Sequence, residues 1–290
     1  MMIKNVWPPS AKISRALPRA ALATGLISIG SGLILVFQYR PFDNVFVQVE
    51  TITTHIPYGW FFRRLHFLSG ESCVVLTLLH VLDHFVRGND RRVSLAEWAR
   101  LWLASALAFF LLFTGYVLKG DKEGLLAGTI LRNLVASIPL IGQSLGSVFI
   151  GSGPDFFFFP YLWHCWLGPL ALGFLLGTHI RSWLPRGNFM LIALLLCSLG
   201  ALFIPLPLAL PPEAMVQEAY GPWFFLGLQE MLKYFDPLWA GVIWPGSLAL
   251  IFLGLPLTRG RGRQVCRQCL CLVLAAYTVL TLAVYVQRTL

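Results

Sequence analysis

Two apolar stretches of this chain each carry a pair of histidines. "RRLHFLSGESCVVLTLLHVLDHFVRG" holds His66 and His80, and "FFFPYLWHCWLGPLALGFLLGTHIRSW" holds His164 and His179. On a helix, steps of fourteen and fifteen residues separate the paired imidazoles by about 21 to 23 Å with about 40 to 60° of net rotation. Each helix thus shows both rings on nearly one face, one toward each end. Polar side chains in a membrane helix are expensive and by default face the bundle interior, where they have work to do. If the two stretches run in the same direction, four histidines become two facing pairs at matching depths. Opposed neutral imidazoles in an apolar slot between helices are what a six-coordinate haem iron requires. A cofactor-free alternative uses them as a proton relay in a transporter, but the broken-helix pattern of many transporters is not evident.

The rest of the chain supplies the helices. Hydrophobic residues make up 57% of the 290 and charged ones 12%, with a mean hydropathy of +0.71, which excludes an ordinary soluble domain. A span needs roughly 20 mostly apolar residues. Seven segments qualify: 18–38, 60–87, 101–119, 160–183, 189–208, 238–257 and 269–286. The second and fourth therefore do run in the same direction. Fourteen of the 22 Lys and Arg fall on the N-terminal side of this topology and eight on the other, which places the N-terminus in the cytoplasm. The net charge of +9 fits anionic lipid headgroups and calls for no nucleic acid. The basic N-terminus precedes a spanning segment and lacks a small-residue cleavage site, so it reads as no signal peptide.

The expected fold is an all-α membrane protein with seven transmembrane helices. A four-helix haem-binding bundle occupies residues 1–187, and three further helices occupy 188–290, divided at "WLPRGN". Long loops at 39–59, 120–159 and 209–237 share the outer face and are expected to fold over the bundle and form a site. Gly25, Gly30 and Gly32 in the first span and Gly115 in the third offer room for a macrocycle against a helix. His55 and His84 read as solvated or packing residues, with proton traffic as the other role. The six cysteines form no disulfide framework, and "CRQCLC" (266–271) lacks the histidine of c-type attachment and the fourth ligand of an iron–sulfur or zinc site.

With "FQYRPF", "YGWFFRRLH", "FTGYVL", "ASIPLIG" and both histidine pairs in order, the chain resembles the cytochrome b/b6 family over nearly its whole length. The fifteen-residue step between His164 and His179 looks like the b6 type, and the last three helices look like the family's subunit IV fused to it. The resemblance implies a quinol-oxidising complex in a prokaryotic cytoplasmic membrane. His66 and His164 would hold an outer haem b, and His80 and His179 an inner one. Arg63 matches a cation placed near a haem propionate. Implied partners are a Rieske iron–sulfur protein, c-type cytochrome subunits, membrane quinone and, as is usual in the family, a second copy of the complex.

The departures are specific. The outer quinol site of the family usually carries Pro-Glu-Trp-Tyr, where this chain has "GPWFF" and Pro222 stands in the place of the glutamate beside Trp223. Either Glu218 or Glu230 serves instead, or water does, or electrons do not bifurcate. The last option makes the chain a conduit between quinone and a non-Rieske partner such as a multihaem subunit. Glu71 stands where a small or apolar residue is usual, and is either a proton carrier near the outer haem or a paired structural acid. Ala16 occupies the position of the b6 cysteine that tethers a covalent haem, so no such haem is expected. Asp83 stands where the family often has Arg. With His84, Arg87 and Arg181 it forms either an inner quinone site or headgroup-level salt bridges.

Overall fold

The computed structural model describes residues 11–206, 209–215 and 220–289, and every regular element among them is helical. Six helices are long and apolar enough to cross a bilayer: Ile13–Val36, Gly59–Arg87, Leu95–Val117, Gly153–Trp183, Trp239–Leu257 and Gly260–Gln287. The fifth apolar segment, Gly187–Phe203, is shorter at 17 residues, the lower limit for a span. It stops before the expected 208 because Ile204 precedes Pro205, and a residue before proline is pushed out of helical geometry into the extended form seen there. The chain is an all-α, multi-pass membrane protein.

In chain order the helices are α1 (Ala11–Val36), α2 (Val45–Thr54), α3 (Gly59–Arg87), α4 (Leu95–Val117), α5 (Lys122–Ala136) and α6 (Gly142–Phe149). A short α7 (Phe158–Leu162) continues through a π turn, Trp163–Leu167, into α8 (Gly168–Trp183). Then come α9 (Gly187–Phe203), α10 (Leu226–Met231), a second π turn (Trp239–Ile243) leading into α11 (Trp244–Gly254), and α12 (Gly260–Thr289). Helices α2, α5, α6 and α10 lie in the long loops of the face called outer above.

Local chemistry sets the ends. Asn44, Ser94 and Asp121 accept from the N–H groups of Val47, Glu97 and Gly124 and so cap α2, α4 and α5. α3 stops at Gly88, whose φ of 67° is a left-handed conformation that glycine adopts without a Cβ penalty. Both π turns share one cause. Gly168 and Trp244 donate five residues back, to the carbonyls of Trp163 and Trp239, and each is followed by a proline. Pro169 and Pro245 have no N–H to give, and in a regular helix their rings would strike the carbonyl four residues back. The widened turn removes that clash.

Between helices in lipid, close packing and polar contacts do the work that water-driven burial does elsewhere. α1 lies along α3, α4 along α8, and α9 covers α1 and α3. Gly25 meets Cys73 and Gly70 meets Ser28 closely enough that an added Cβ would stand 3.1 and 3.4 Å from their side-chain sulfur and oxygen. Beneath the outer loops Phe113, Val117, Ala127 and Ile150 form a buried cluster on which Phe224 and Phe225 rest. At the inner end Arg263 of α12 grips Asp90 through two bonds of 2.6 and 2.7 Å.

Candidate functional site

The two helices with paired histidines bring them face to face. His66 on α3 opposes His164 in the π turn with ring centroids 5.8 Å apart, and His80 on α3 opposes His179 on α8 at 6.2 Å. Two imidazoles bound to one metal from opposite sides, with metal–nitrogen bonds of about 2 Å, put their centroids roughly 6 Å apart. Both pairs have that spacing. No group of three or more His, Cys, Asp or Glu able to hold a metal exists among the described residues. Among the described residues each pair therefore offers a metal two protein ligands, the number a six-coordinate haem iron takes from its protein.

The outer pair is oriented by backbone carbonyls. His66 Nδ1 lies 2.9 Å from the Ser28 carbonyl, and His164 Nδ1 lies 2.9 Å from that of Leu111. A carbonyl only accepts, so each Nδ1 carries the proton and each Nε2 keeps its lone pair for a metal. Glycine makes both bonds accessible. An added Cβ would stand 2.9 Å from His66 Cε1 at Gly32, and 2.7 Å from His164 Cε1 at Gly115. Each glycine lies four residues after the residue whose carbonyl is used. Gly25 abuts Cys73 instead, and Gly30 has nothing within 4 Å of where its Cβ would be.

The inner pair is held differently. His80 Nδ1 is buried without a hydrogen-bond partner, and the His84 ring lies 4.5 Å from the His80 ring. The guanidinium of Arg19 lies over the Trp183 ring at 5.8 Å, and Trp183 is 6.4 Å from His179. Arg19 Nε is buried without a partner, and Arg19 forms no ion pair among the described residues. Arg100 donates to Thr178, next to His179, at 2.9 Å. Sequence reasoning missed Arg19 and Trp183, although the guanidinium–indole contact brings a cation close to one histidine of the inner pair.

The unequal steps of fourteen and fifteen residues are reconciled by the π turn. In regular helices they would differ in phase by about 100°. The wide turn at Trp163–Leu167 takes up one residue, so His164 and His179 present themselves as if fourteen apart.

The remaining singled-out residues divide. Trp223 donates its indole N–H to Glu71 Oε2 at 2.8 Å, so the outer loop reaches into the span beside α3. Glu230 is ion-paired to Lys233 at 2.8 Å, and Glu218 lies outside the described residues. Pro222 leads directly into the turn Trp223–Phe225. Arg63 donates to Thr53 Oγ1 at 2.6 Å and lies 3.9 Å from Glu50. Asp83 accepts from Ser14 at 2.5 Å and from Arg87 at 2.8 Å, while Arg181 is exposed and makes no hydrogen bond or ion pair with Asp83 among the described residues. His55 is exposed beside Thr54, and all six cysteines are free.

Comparison with known proteins gives this geometry its context. The family model described as cytochrome b/b6/petB matches residues 6–187. Cytochrome b6 of Porphyra purpurea is 28% identical over 178 residues, 59% of this chain and 82% of that protein. A solved structure described as hyperthermophilic respiratory Complex III shares the fold at a TM-score of 0.72 and 19% identity, over 97% of this chain and 85% of that one. With its histidine pairs inside the matched region, the chain belongs to the cytochrome b/b6 family of membrane-embedded, haem-binding electron carriers.

Proposed function

We propose that this chain is the dihaem cytochrome b subunit of a quinol-oxidising complex. It passes electrons from an outer quinol site to an inner quinone site, with proton release outside and uptake inside. The observation that carries this reading is the spacing of the imidazole pairs, 5.8 and 6.2 Å, each suited to one iron. His66 and His164 hold the outer haem b, and His80 and His179 the inner one. When bound, the haems supply one-electron redox chemistry, and the chain supplies ligation, spacing and dielectric.

Each residue then has a task. The carbonyls of Ser28 and Leu111 hold the outer imidazoles in the ligating tautomer, and Gly32 and Gly115 leave room for them. Arg63, at the outer end of α3, balances a haem carboxylate there. The stretch Pro222–Trp223, with Glu218 before it and Glu230 after it in the chain, belongs to the outer quinol region. Asp83, His84, Arg87 and Arg181 belong to the inner quinone region. Residues 1–187 form the haem-bearing part, and 188–290 the part that completes the outer site.

The chain sits in a prokaryotic cytoplasmic membrane with its N-terminus in the cytoplasm, in a complex that forms a homodimer. A Rieske iron–sulfur protein or c-type cytochrome subunits take the outer electrons, and Ala16 leaves no cysteine for a covalent haem. Pro222 in the place of the usual glutamate favours a second reading, in which electrons do not bifurcate and a non-Rieske, multihaem partner takes them. Purifying the native complex and identifying its subunits separates the two. Haem content and a reduced-minus-oxidised spectrum test both: two b-type haems per chain are expected, and one or none overturns the assignment.

A further inference from the structure

The outer loop meets a carboxyl inside the span that the histidine pairs do not use. Glu71 lies five residues past His66 on α3, about 7.5 Å further along the helix axis. Its Oε2 accepts the indole N–H of Trp223 at 2.8 Å, a contact joining residues 152 apart in sequence. No cation pairs with Glu71 among the described residues, and it is only half-buried. An acid in a membrane helix without a cationic partner is by default a functional group.

The loop that reaches Glu71 is fixed from several sides. Tyr277 donates to the Phe224 carbonyl at 2.9 Å, Phe225 packs on Phe113 at 5.2 Å, and Gln229 accepts from the Gly221 N–H at 2.7 Å. Trp223 has a single N–H, and Glu71 takes it. One carboxylate oxygen is therefore held, and the other has no hydrogen bond among the described residues. Nearby acids are otherwise engaged: Glu123 lies 2.7 Å from the Tyr116 hydroxyl and 3.8 Å from Lys119, and Glu230 is bound to Lys233. The loop itself presents Pro222, which cannot accept a proton.

Oxidising a quinol requires that its hydroxyl protons reach a base within hydrogen-bond reach. We propose that Glu71 is the proton acceptor of the outer quinol site, supplied by α3 rather than by the loop and oriented by Trp223. One quinol O–H bond breaks, its electron pair stays on the quinol oxygen and the proton goes to Glu71 Oε1; the second hydroxyl gives its proton to water at the outer face, and the product is the quinone. The two electrons leave the substrate for the outer haem iron and for a one-electron iron centre of a partner subunit. This inference deepens the function proposed above and rests on it.

Glu71→Gln tests it in the purified complex, because the amide oxygen still accepts from Trp223. The expected result is a fall of about 100-fold or more in quinol-driven haem reduction, with loss of its pH dependence. The dithionite-reduced spectrum stays unchanged, which shows that both haems are in place. Adding Pro222→Glu to that variant restores part of the rate, since a carboxylate returns from the loop side. A wild-type rate and pH profile in Glu71→Gln overturns the role of Glu71 and leaves the parent function standing. A wild-type complex that cannot reduce its haems from quinol overturns both.

Discussion

Gly115 and His164 stand so close that a single methyl group would part them: a Cβ at position 115 would lie 2.7 Å from His164 Cε1 and 3.3 Å from its Nε2. Gly32 bears the same relation to His66 on the neighbouring helix. In a helix the carbonyl of residue i points toward residue i+4. A missing Cβ at i+4 is what lets a ring from another helix reach that carbonyl. Ser28 with Gly32 and Leu111 with Gly115 are thus two copies of one device. Gly115→Ala is expected to abolish the outer b-type band in the reduced-minus-oxidised spectrum while leaving the inner one. Gly30→Ala, with open space around it, is expected to leave both.

The π turn makes a prediction that a regular helix does not. Deleting Trp166 together with Pro169→Ala converts Trp163–Leu167 to ordinary α geometry and leaves His164 and His179 in phase. Two haems per chain are expected to remain. Deleting Leu172, in the regular part of α8, rotates one histidine by about 100° relative to the other. One haem per chain is then expected to be lost, as measured by haem extraction against protein.

Residue type and spacing made the histidine pairs, the seven apolar segments and the helix-facing glycines Gly32 and Gly115 legible. What they left open was partnership. Glu71 stood between two roles because Trp223, its partner, lies 152 residues away and no local pattern links them. The carbonyls of Ser28 and Leu111 carry no signal of their own, since every residue has one, yet the glycine four residues on marks them. Spacing alone did not fix the side chain of Arg181, which, two residues after His179, lies about 200° around the helix from it. The structure accordingly leaves it exposed. Pro169 sits within the fourth span, but a proline alone does not say that the helix widens into a π turn that corrects the histidine phase.

Arg19 is a charge that the inner pair cannot ignore. It lies over Trp183, which neighbours His179, and the two contacts together place the guanidinium within about 12 Å of that ring. A nearby cation favours the reduced, less positive haem. Arg19→Gln is therefore expected to lower the inner haem's midpoint potential by a few tens of millivolts, with Arg19→Lys close to wild type. Redox titration monitored at the inner b-type band checks this, and an unshifted potential in Arg19→Gln would show the charge to be screened.

The inner end is locked by a pair that water does not reach. Asp90 is fully buried and Arg263 nearly so, and α12 adds a bond from Arg267 to the Phe85 carbonyl at 2.7 Å. These contacts hold the end of α3, which carries His80, against the last helix. Removing one member of a buried ion pair strands the other, at a cost of about 3 to 5 kcal/mol, whereas replacing both with apolar side chains is often close to neutral. Arg263→Met is therefore expected to lower the temperature at which the haem absorbance is lost, with the inner band going first. Asp90→Leu combined with Arg263→Met is expected to recover most of that loss. Equal damage in the single and double variants would mean that the pair's hydrogen-bond geometry, rather than an unpaired buried charge, keeps α3 and α12 together.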